Sequence, residues 1–146
     1  YKIGCLGKIS DFQKSKDGRV LINLTGLTRF EVLEEKKNFK LYREFKVNYK
    51  RFILDLKPIK EEINIEPLID KIKVFFKKSG LLLNWKEFEK LNQVQKINTL
   101  SMIAPVTNEE KQKLLESVSL EEKVKVLINI VNFYLHEVDF SNRTLQ

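Results

Sequence analysis

Few residues in this chain have types that could perform catalysis or bind a metal ion. The sequence contains one cysteine, Cys5, and one histidine, His136, which lie near opposite ends of the chain. A zinc site needs three or four Cys, His or carboxylate ligands, and a Cys–His nucleophilic pair needs a further group that orients the base. Cys5 alternates with apolar neighbours, which predicts a buried and unreactive side chain. We therefore predict no catalytic residue and no metal site.

Residues 4–10, GCLGKIS, contain the glycines and the lysine of a phosphate-binding loop, but in the wrong arrangement. A Walker loop has four residues between its glycines, a Ser or Thr directly after its lysine, and a position between a strand and a helix. Here the surrounding pattern is that of a strand. Acidic pairs near predicted helix starts are explained by the helix dipole; they are Glu61-Glu62, Glu109-Glu110 and Glu121-Glu122. The sequence predicts no cofactor and no enzyme activity.

The length and composition favour a small cytoplasmic protein or a part of one. The 146 residues suit one domain, or a sheet with a helical cap. The sequence has no apolar run long enough to span a bilayer and no secretory signal, so no membrane partner is predicted. A single cysteine fits a reducing compartment. Because Tyr1 already lies in a strand-like pattern and is not Met, we expect a fragment of a longer protein.

The net charge of +7 is concentrated in the first part of the chain. Residues 1–57 carry 14 Lys and Arg against 7 Asp and Glu, whereas residues 58–146 carry 13 of each. A basic sheet could contact nucleic acid or acidic segments. Alternatively, the lysines could cover a solvated sheet face and prevent edge-to-edge pairing. The second interpretation is favoured because 22 of the 27 cations are lysine, and arginine is the better reader of bases and phosphates.

Alternating apolar residues predict an antiparallel sheet of about four strands before Pro58. Asp17 and Gly18 mark a tight turn, since glycine accepts the positive φ of a hairpin. Gly26 lies within a strand pattern and predicts a bulge or bend. The predicted strands are residues 3–10, 20–24, 29–35, and a longer one from 41 to about 56.

The remainder of the chain has helical periodicity and helix-capping signals. Pro67 suits a first helical turn and Gly80 a C-cap. One helix is predicted from Trp85 until Pro105 stops it, preceded by a capping pair at Asn84. Capping boxes at Thr107–Glu110 and Ser119–Glu122 predict two further helices, of which the last is the longest.

Several of these segments together resemble a known domain family. The succession IGCLGKI, DGR, INLTGLTRFEV and YREFKV, followed by QKINTLSMIAPVTNEEKQKLLESVSLEEKVKVLI, resembles the Lon N-terminal (LON substrate-binding) domain. It is most similar to the stand-alone bacterial proteins that carry this domain without a protease. The motif residues counted as structural are Gly7, Asp17, Gly18 and Gly26, with Gly4, Arg29 and Phe30 beside them.

The resemblance implies an α+β fold. A β-rich, PUA-like pseudobarrel portion is expected in residues 1–57, followed by a C-terminal helical bundle in residues 58–146. The strand-and-helix portion that opens the family domain is absent, so we expect an N-terminally truncated sheet whose exposed edge favours self-association. Lon's nucleotide-binding and Ser–Lys parts are also absent, so the resemblance implies no ATPase or protease activity.

The resemblance also implies a non-enzymatic module that binds unfolded or extended polypeptide segments. The predicted binding residues are Arg29, Phe30, Tyr42, Phe45, Tyr49 and Phe52, among which Tyr42 is expected to be the best exposed. The opposing interpretation is that these aromatic side chains fill the core. A nucleic-acid-binding PUA-like domain that uses the basic front is the alternative function, and an enzyme with an unrecognised small-molecule pocket is the third.

Overall fold

The computed structural model describes residues 1–57 and 63–143, with side chains described as far as His136. The chain forms two compact units, Tyr1–Pro58 and Ile59–Gln146. The first, here called the sheet unit, contains an antiparallel three-stranded sheet, and the second, the helical unit, contains five helices in its described part. The predicted α+β class is confirmed.

Two long strands form the sheet unit's main hairpin. Strand β1, Ile3–Lys14, pairs antiparallel with β2, Val20–Lys36. The connecting turn is closed by a bond from the Ser15 backbone N–H to the Arg19 carbonyl (2.8 Å), and Gly18 has a φ of 85°. The predicted turn and its need for glycine are therefore confirmed.

The pairing register of this hairpin is interrupted twice. Ser10 is an extra residue between the pairs Ile9–Leu24 and Asp11–Asn23, and Leu27 is an extra residue next to the pair Gly7–Gly26. The irregularity predicted at Gly26 is confirmed. The prediction of two separate strands around it is wrong, because the bulge lets one continuous strand run from residue 20 to 36.

The third strand is much shorter than predicted. Strand β3, Glu44–Asn48, pairs antiparallel with the last part of β2 and lies at one side of the sheet. Beyond it the chain forms a 3-10 helix, Lys50–Leu56, where the alternating pattern predicted more strand. The side chain of Asn48 accepts a bond from the Lys50 N–H (3.0 Å), which turns the chain out of the sheet.

Local capping signals define most helix ends in the helical unit. Pro67 lies in the first turn of the first helix, and Gly80, with a φ of 69°, follows its end. The predicted continuous helix after Trp85 is wrong, because Asn92 and Gln95 form a capping box that starts a new helix. The helices are α1 Glu66–Lys78, α2 Trp85–Glu89, α3 Gln93–Ile103, α4 Asn108–Glu116 and α5 Leu120–Arg143.

Apolar stripes from these helices build the core of the helical unit. Its fully buried side chains come from α1, α3, α4 and α5, and Trp85 and Tyr134 pack against them. None of the helices described between residues 63 and 143 is long and apolar enough to cross a membrane. The largest fully buried side chains of this unit are those of Leu68, Ile72, Phe76, Ile97, Leu100, Leu114, Leu127 and Val131.

Cys5 is exposed, so the prediction of a buried thiol is wrong. Its partner across the strands is Arg29, whose guanidinium is turned to Asp55, and on its other side lie Gly7 and Gly26, which have no side chains to cover it. Among the described residues, no three His, Cys, Asp or Glu side chains are grouped so that they could hold a metal ion.

Candidate functional site

A buried ion pair joins β2 to the 3-10 helix. The Arg29 guanidinium donates from Nε to Oδ2 of Asp55 (2.8 Å) and from Nη2 to Oδ1 (2.6 Å). The backbone N–H of Arg29 also donates to Oδ2 (3.0 Å). The two side chains are only 11% and 20% exposed, so the pair is geometrically strong and mostly shielded from water.

Phe52 lies beneath this ion pair. The guanidinium carbon of Arg29 is 4.4 Å from the centre of the Phe52 ring, and that of Arg51 is 5.4 Å from it. Phe52 is 1% exposed and Arg29 is 9% exposed. Both were predicted to bind substrate directly. In the structure little of either side chain is exposed, and Arg29 contacts both Phe52 and Asp55.

Within the sheet, Phe30 packs between Gly4 and Tyr49. The Phe30 ring lies directly over Gly4, where an added Cβ would be 2.7 Å from the Phe30 Cζ atom. Phe30 in turn meets Tyr49 edge to face, with ring centres 6.2 Å apart. Gly4 is therefore required by the position of Phe30, which fixes the inner side of Tyr49.

Tyr49 forms one wall of an open depression of about 390 Å³. The depression lies where β3 turns into the 3-10 helix. Ile53, which is 49% exposed, forms part of its apolar lining, and Lys50 supplies a cation at the rim. The full lining is Val47, Asn48, Tyr49, Lys50 and Ile53.

The remaining predicted aromatic residues divide between the strand and a loop. Phe45 lies on β3, two residues from Val47 and therefore on the same side of the strand, with the Arg43 guanidinium carbon 4.9 Å from its ring centre. Tyr42 is 61% exposed as expected, but it precedes β3 and lies outside the sheet. The structure thus brings Phe30, Phe45 and Tyr49 to one region, which we call the aromatic surface together with Val47 and Ile53.

The four residues predicted as structural, which are Gly7, Asp17, Gly18 and Gly26, have different environments. Asp17 accepts from the Arg19 Nε (2.7 Å) across the turn that Gly18 closes. A Cβ on Gly26 would lie 3.4 Å from the Cys5 sulfur, a tight contact. A Cβ on Gly7 would meet only Leu24 and a carbonyl at ordinary distances of 3.8–4.0 Å. Nothing around Gly7 in the sheet unit therefore requires a glycine.

Sequence reasoning missed Asp55, Lys50 and Ile53. Asp55 interrupts the apolar stretch FILDL, and a single carboxylate in such a stretch is a signal for a buried partner. Lys50 and Ile53 gave no comparable signal, because their importance depends on the turn at the end of β3.

Residues 1–132 match the family described as the ATP-dependent protease La (LON) substrate-binding domain. The chain belongs to the LON substrate-binding domain family. The comparisons find this domain and no protease or ATPase domain in the 146 residues.

Two relatives illustrate the relationship. A Lon protease from Brevibacillus choshinensis is 26% identical over 140 residues, which is 90% of this chain and 17% of that protein's length. The N-terminal domain of Mycobacterium avium complex Lon protease has a similar fold, with a TM-score of 0.59 at 18% identity. That match covers 90% of this chain and 70% of the mycobacterial chain.

Proposed function

We propose that this LON domain is a non-enzymatic module that binds unfolded or extended polypeptide segments through the aromatic surface. The observation that carries the proposal is the open apolar depression beside Tyr49 and Ile53. Family membership supports the same role, since the family is described as substrate-binding. A cytoplasmic location accords with the single free cysteine.

The position of β3 suggests how an extended segment would bind. Because β3 is the last strand in the sheet order, a segment can pair with its outer side as an added strand. Side chains of an added strand alternate, so every second one would face the aromatic surface. A large apolar side chain would then enter the depression beside Tyr49, which Phe30 contacts edge to face.

Binding of a permanently unfolded, carboxymethylated protein, followed by fluorescence anisotropy, tests this proposal. The double variant Tyr49→Ala/Ile53→Ala should bind about tenfold or more weakly, because truncating central apolar residues of an interface has effects of this size. Tyr42→Ala is the matched control, since Tyr42 is an exposed aromatic residue of the same unit outside the depression. Equal losses in the two variants, or none in either, would contradict the assignment.

Nucleic-acid binding by the basic front is the second candidate, and it is supported by the 14 cations in residues 1–57. Three arginines there already contact carboxylates: Arg19 with Asp17, Arg29 with Asp55, and Arg43 with Glu35. These pairs favour the polypeptide proposal, because they occupy the groups best suited to phosphate. A salt titration separates the two, since phosphate contacts weaken steeply with salt whereas an apolar depression does not.

A further inference from the structure

The sheet unit has a second exposed apolar surface, which lies on the β1–β2 hairpin, on the opposite side of the sheet from Phe30. Five apolar side chains, named at the end of this paragraph, form this surface, and each is 49–69% exposed. Gly4 lies under the Phe30 ring and therefore marks the face of the sheet that carries Phe30. Gly7 is three residues further along a regular stretch of β1, so it lies on the opposite face. The surface, here called the hairpin face, begins beside Gly7 and consists of Ile9, Phe12, Val20, Ile22 and Leu24.

The bulge at Ser10 creates the hairpin face. In a regular strand Ile9 and Phe12 would point to opposite sides, because they are three residues apart. The extra residue places Ile9 opposite Leu24 and Phe12 opposite Ile22, so that all four share one side. The Ser10 hydroxyl donates to the Asn23 carbonyl (3.1 Å) and holds the bulge in place.

A notch without side chains adjoins the hairpin face. Gly7 and Gly26 are directly paired and lie on the same side as Ile9 and Leu24. Neither glycine has a positive φ, and the surroundings of Gly7 would accept a Cβ. Glycine within a strand often marks the close approach of another chain, and here no part of the described sheet unit explains Gly7.

The order of these features along the hairpin is self-complementary. The pairs Lys14–Val20 and Phe12–Ile22 lie toward the turn, the pair Ile9–Leu24 lies in the middle, and the Gly7–Gly26 notch lies on its other side. A two-fold axis through the middle pair brings Phe12 of each copy over the notch of the other. We propose that the hairpin face is an isologous interface between two copies of this chain.

The size and charge of the surface determine the behaviour of such a dimer. The five side chains expose roughly 500 Å² per copy, so a pair would bury on the order of 1,000 Å², near the lower limit for a specific interface. The association should therefore be weak and concentration-dependent. Each sheet unit carries 14 cations against 7 anions, so the copies repel each other and added salt should tighten the dimer.

Sedimentation of the whole chain, from low to several hundred micromolar, tests the interface. Ile22→Lys should weaken dimerisation about tenfold or more. Leu21→Lys is the matched control, because Leu21 is the next residue on β2, is 66% exposed, faces the other side and receives the same charge. Gly7→Val should fill the notch and weaken the dimer without loss of folding. Raising NaCl from about 0.05 to 0.5 M should strengthen association of the parent chain.

Three results would overturn the proposal. The parent chain could remain monomeric over the whole concentration range. Both lysine variants could weaken association equally, which would indicate pairing through a strand edge or a general charge effect. Unfolded polypeptide could dissolve the dimer and bind less well to Ile22→Lys, which would make the hairpin face a substrate surface. The Tyr49 and Ile53 variants should leave dimerisation unchanged, so the outcome is independent of the proposed polypeptide binding.

Discussion

The two units of this LON domain use their apolar residues in opposite ways. In the helical unit, large side chains such as Leu68, Phe76 and Leu127 are almost completely buried. In the sheet unit, the buried apolar side chains are Ile3 and Phe52, while those of the hairpin face and of the depression are exposed. The excess positive charge also lies entirely in residues 1–57.

If the proposed function holds, this difference assigns stability to the helical unit and recognition to the sheet unit. Exposed apolar surface adds nothing to the stability of the free protein, but it supplies the free energy of association when a partner covers it. The sheet unit keeps its shape through the backbone ladders of its three strands and through directed contacts such as Arg29 with Asp55 and Phe30 with Gly4. The helical unit keeps its shape through burial.

The largest expected effect is a cavity in the helical core. Phe76→Ala should lower the free energy of unfolding by about 3–5 kcal/mol, since Phe76 is 1% exposed. Phe12→Ala is the matched substitution in the sheet unit. It should change the free energy of unfolding by less than about 0.5 kcal/mol, because Phe12 is 69% exposed. Urea denaturation of both variants at low protein concentration measures the contrast. Similar losses would mean that Phe12 is buried in solution.

The next effect tests the directed contacts of the sheet unit. Asp55→Asn should destabilise this unit by roughly 2 kcal/mol, because it leaves the Arg29 guanidinium without its carboxylate in a mostly shielded position. Hydrogen exchange of the amides in residues 50–56 should become faster. Asp17→Asn removes an exposed pair and should have little effect.

Trp85 separates this effect from a general loss of stability. It is the one tryptophan of the chain and packs against Phe88 and Phe76 in the helical unit, with ring centres 5.4 and 6.4 Å away. Its fluorescence should therefore report the same urea midpoint in the parent and in Asp55→Asn. A shifted midpoint would show that the ion pair supports more than the sheet unit.

A smaller loss is expected at the hairpin turn. Gly18→Val should cost about 1–2 kcal/mol, because a β-branched residue is strained at a φ of 85° while no neighbouring atom lies within 4 Å. Gly18→Asn should cost less, since asparagine tolerates this conformation. Thermal unfolding followed by circular dichroism compares the two. Equal melting temperatures for parent and Gly18→Val would contradict the turn assignment.

The smallest effect is a pH dependence in the helical unit. Burial raises the pKa of Glu110, but bonds from the Thr107 N–H, the Tyr134 hydroxyl and the Thr107 hydroxyl outweigh it and hold that pKa below its usual value. A lowered pKa in the folded state stabilises the protein above the unfolded-state pKa, and this contribution is lost as the pH falls through the folded-state pKa.

Glu110→Gln measures that contribution. The variant should be less stable than the parent at neutral pH, and the difference should shrink as the pH falls below about 4, the usual range of a glutamate pKa. Urea midpoints followed by Trp85 fluorescence at several pH values give the comparison. A difference that does not change with pH would show that the carboxylate charge is unimportant there.

Sequence analysis predicted the features that depend on neighbouring residues. The Gly18 turn, the Gly80 helix end and the Thr107–Glu110 capping box all follow from short patterns. The Asn92–Gln95 capping box was equally local, and overlooking it joined two helices into one. The family resemblance, confirmed over residues 1–132, supplied the function class that no catalytic motif could.

The candidate site was less predictable because its contacts are distant in sequence. The partner of Arg29 is 26 residues away, and its position depends on a 3-10 helix within a strand-like pattern. Aromatic residues predicted as one set therefore divided into the buried support Phe52, the loop residue Tyr42 and the exposed Phe45 and Tyr49. Cys5 was wrongly predicted as buried, since alternation does not reveal that Gly7 and Gly26 leave one side of it uncovered.

The Ser10 bulge has a consequence for how this hairpin tolerates changes in length. Deleting Ser10 would make Asp11 follow Ile9 directly, and the pairs Ile9–Leu24 and Asp11–Asn23 would become consecutive. Every side chain of both strands would keep its side of the sheet, and only the local twist would decrease. Deleting Asp11 while Ser10 stays would instead let Ser10 pair with Asn23 and use up the extra residue. If single residues of β1 are deleted one at a time, deletions at or next to the Ser10 bulge should leave the protein folded. Deletions further from the bulge, in either direction along β1, should destabilise it more.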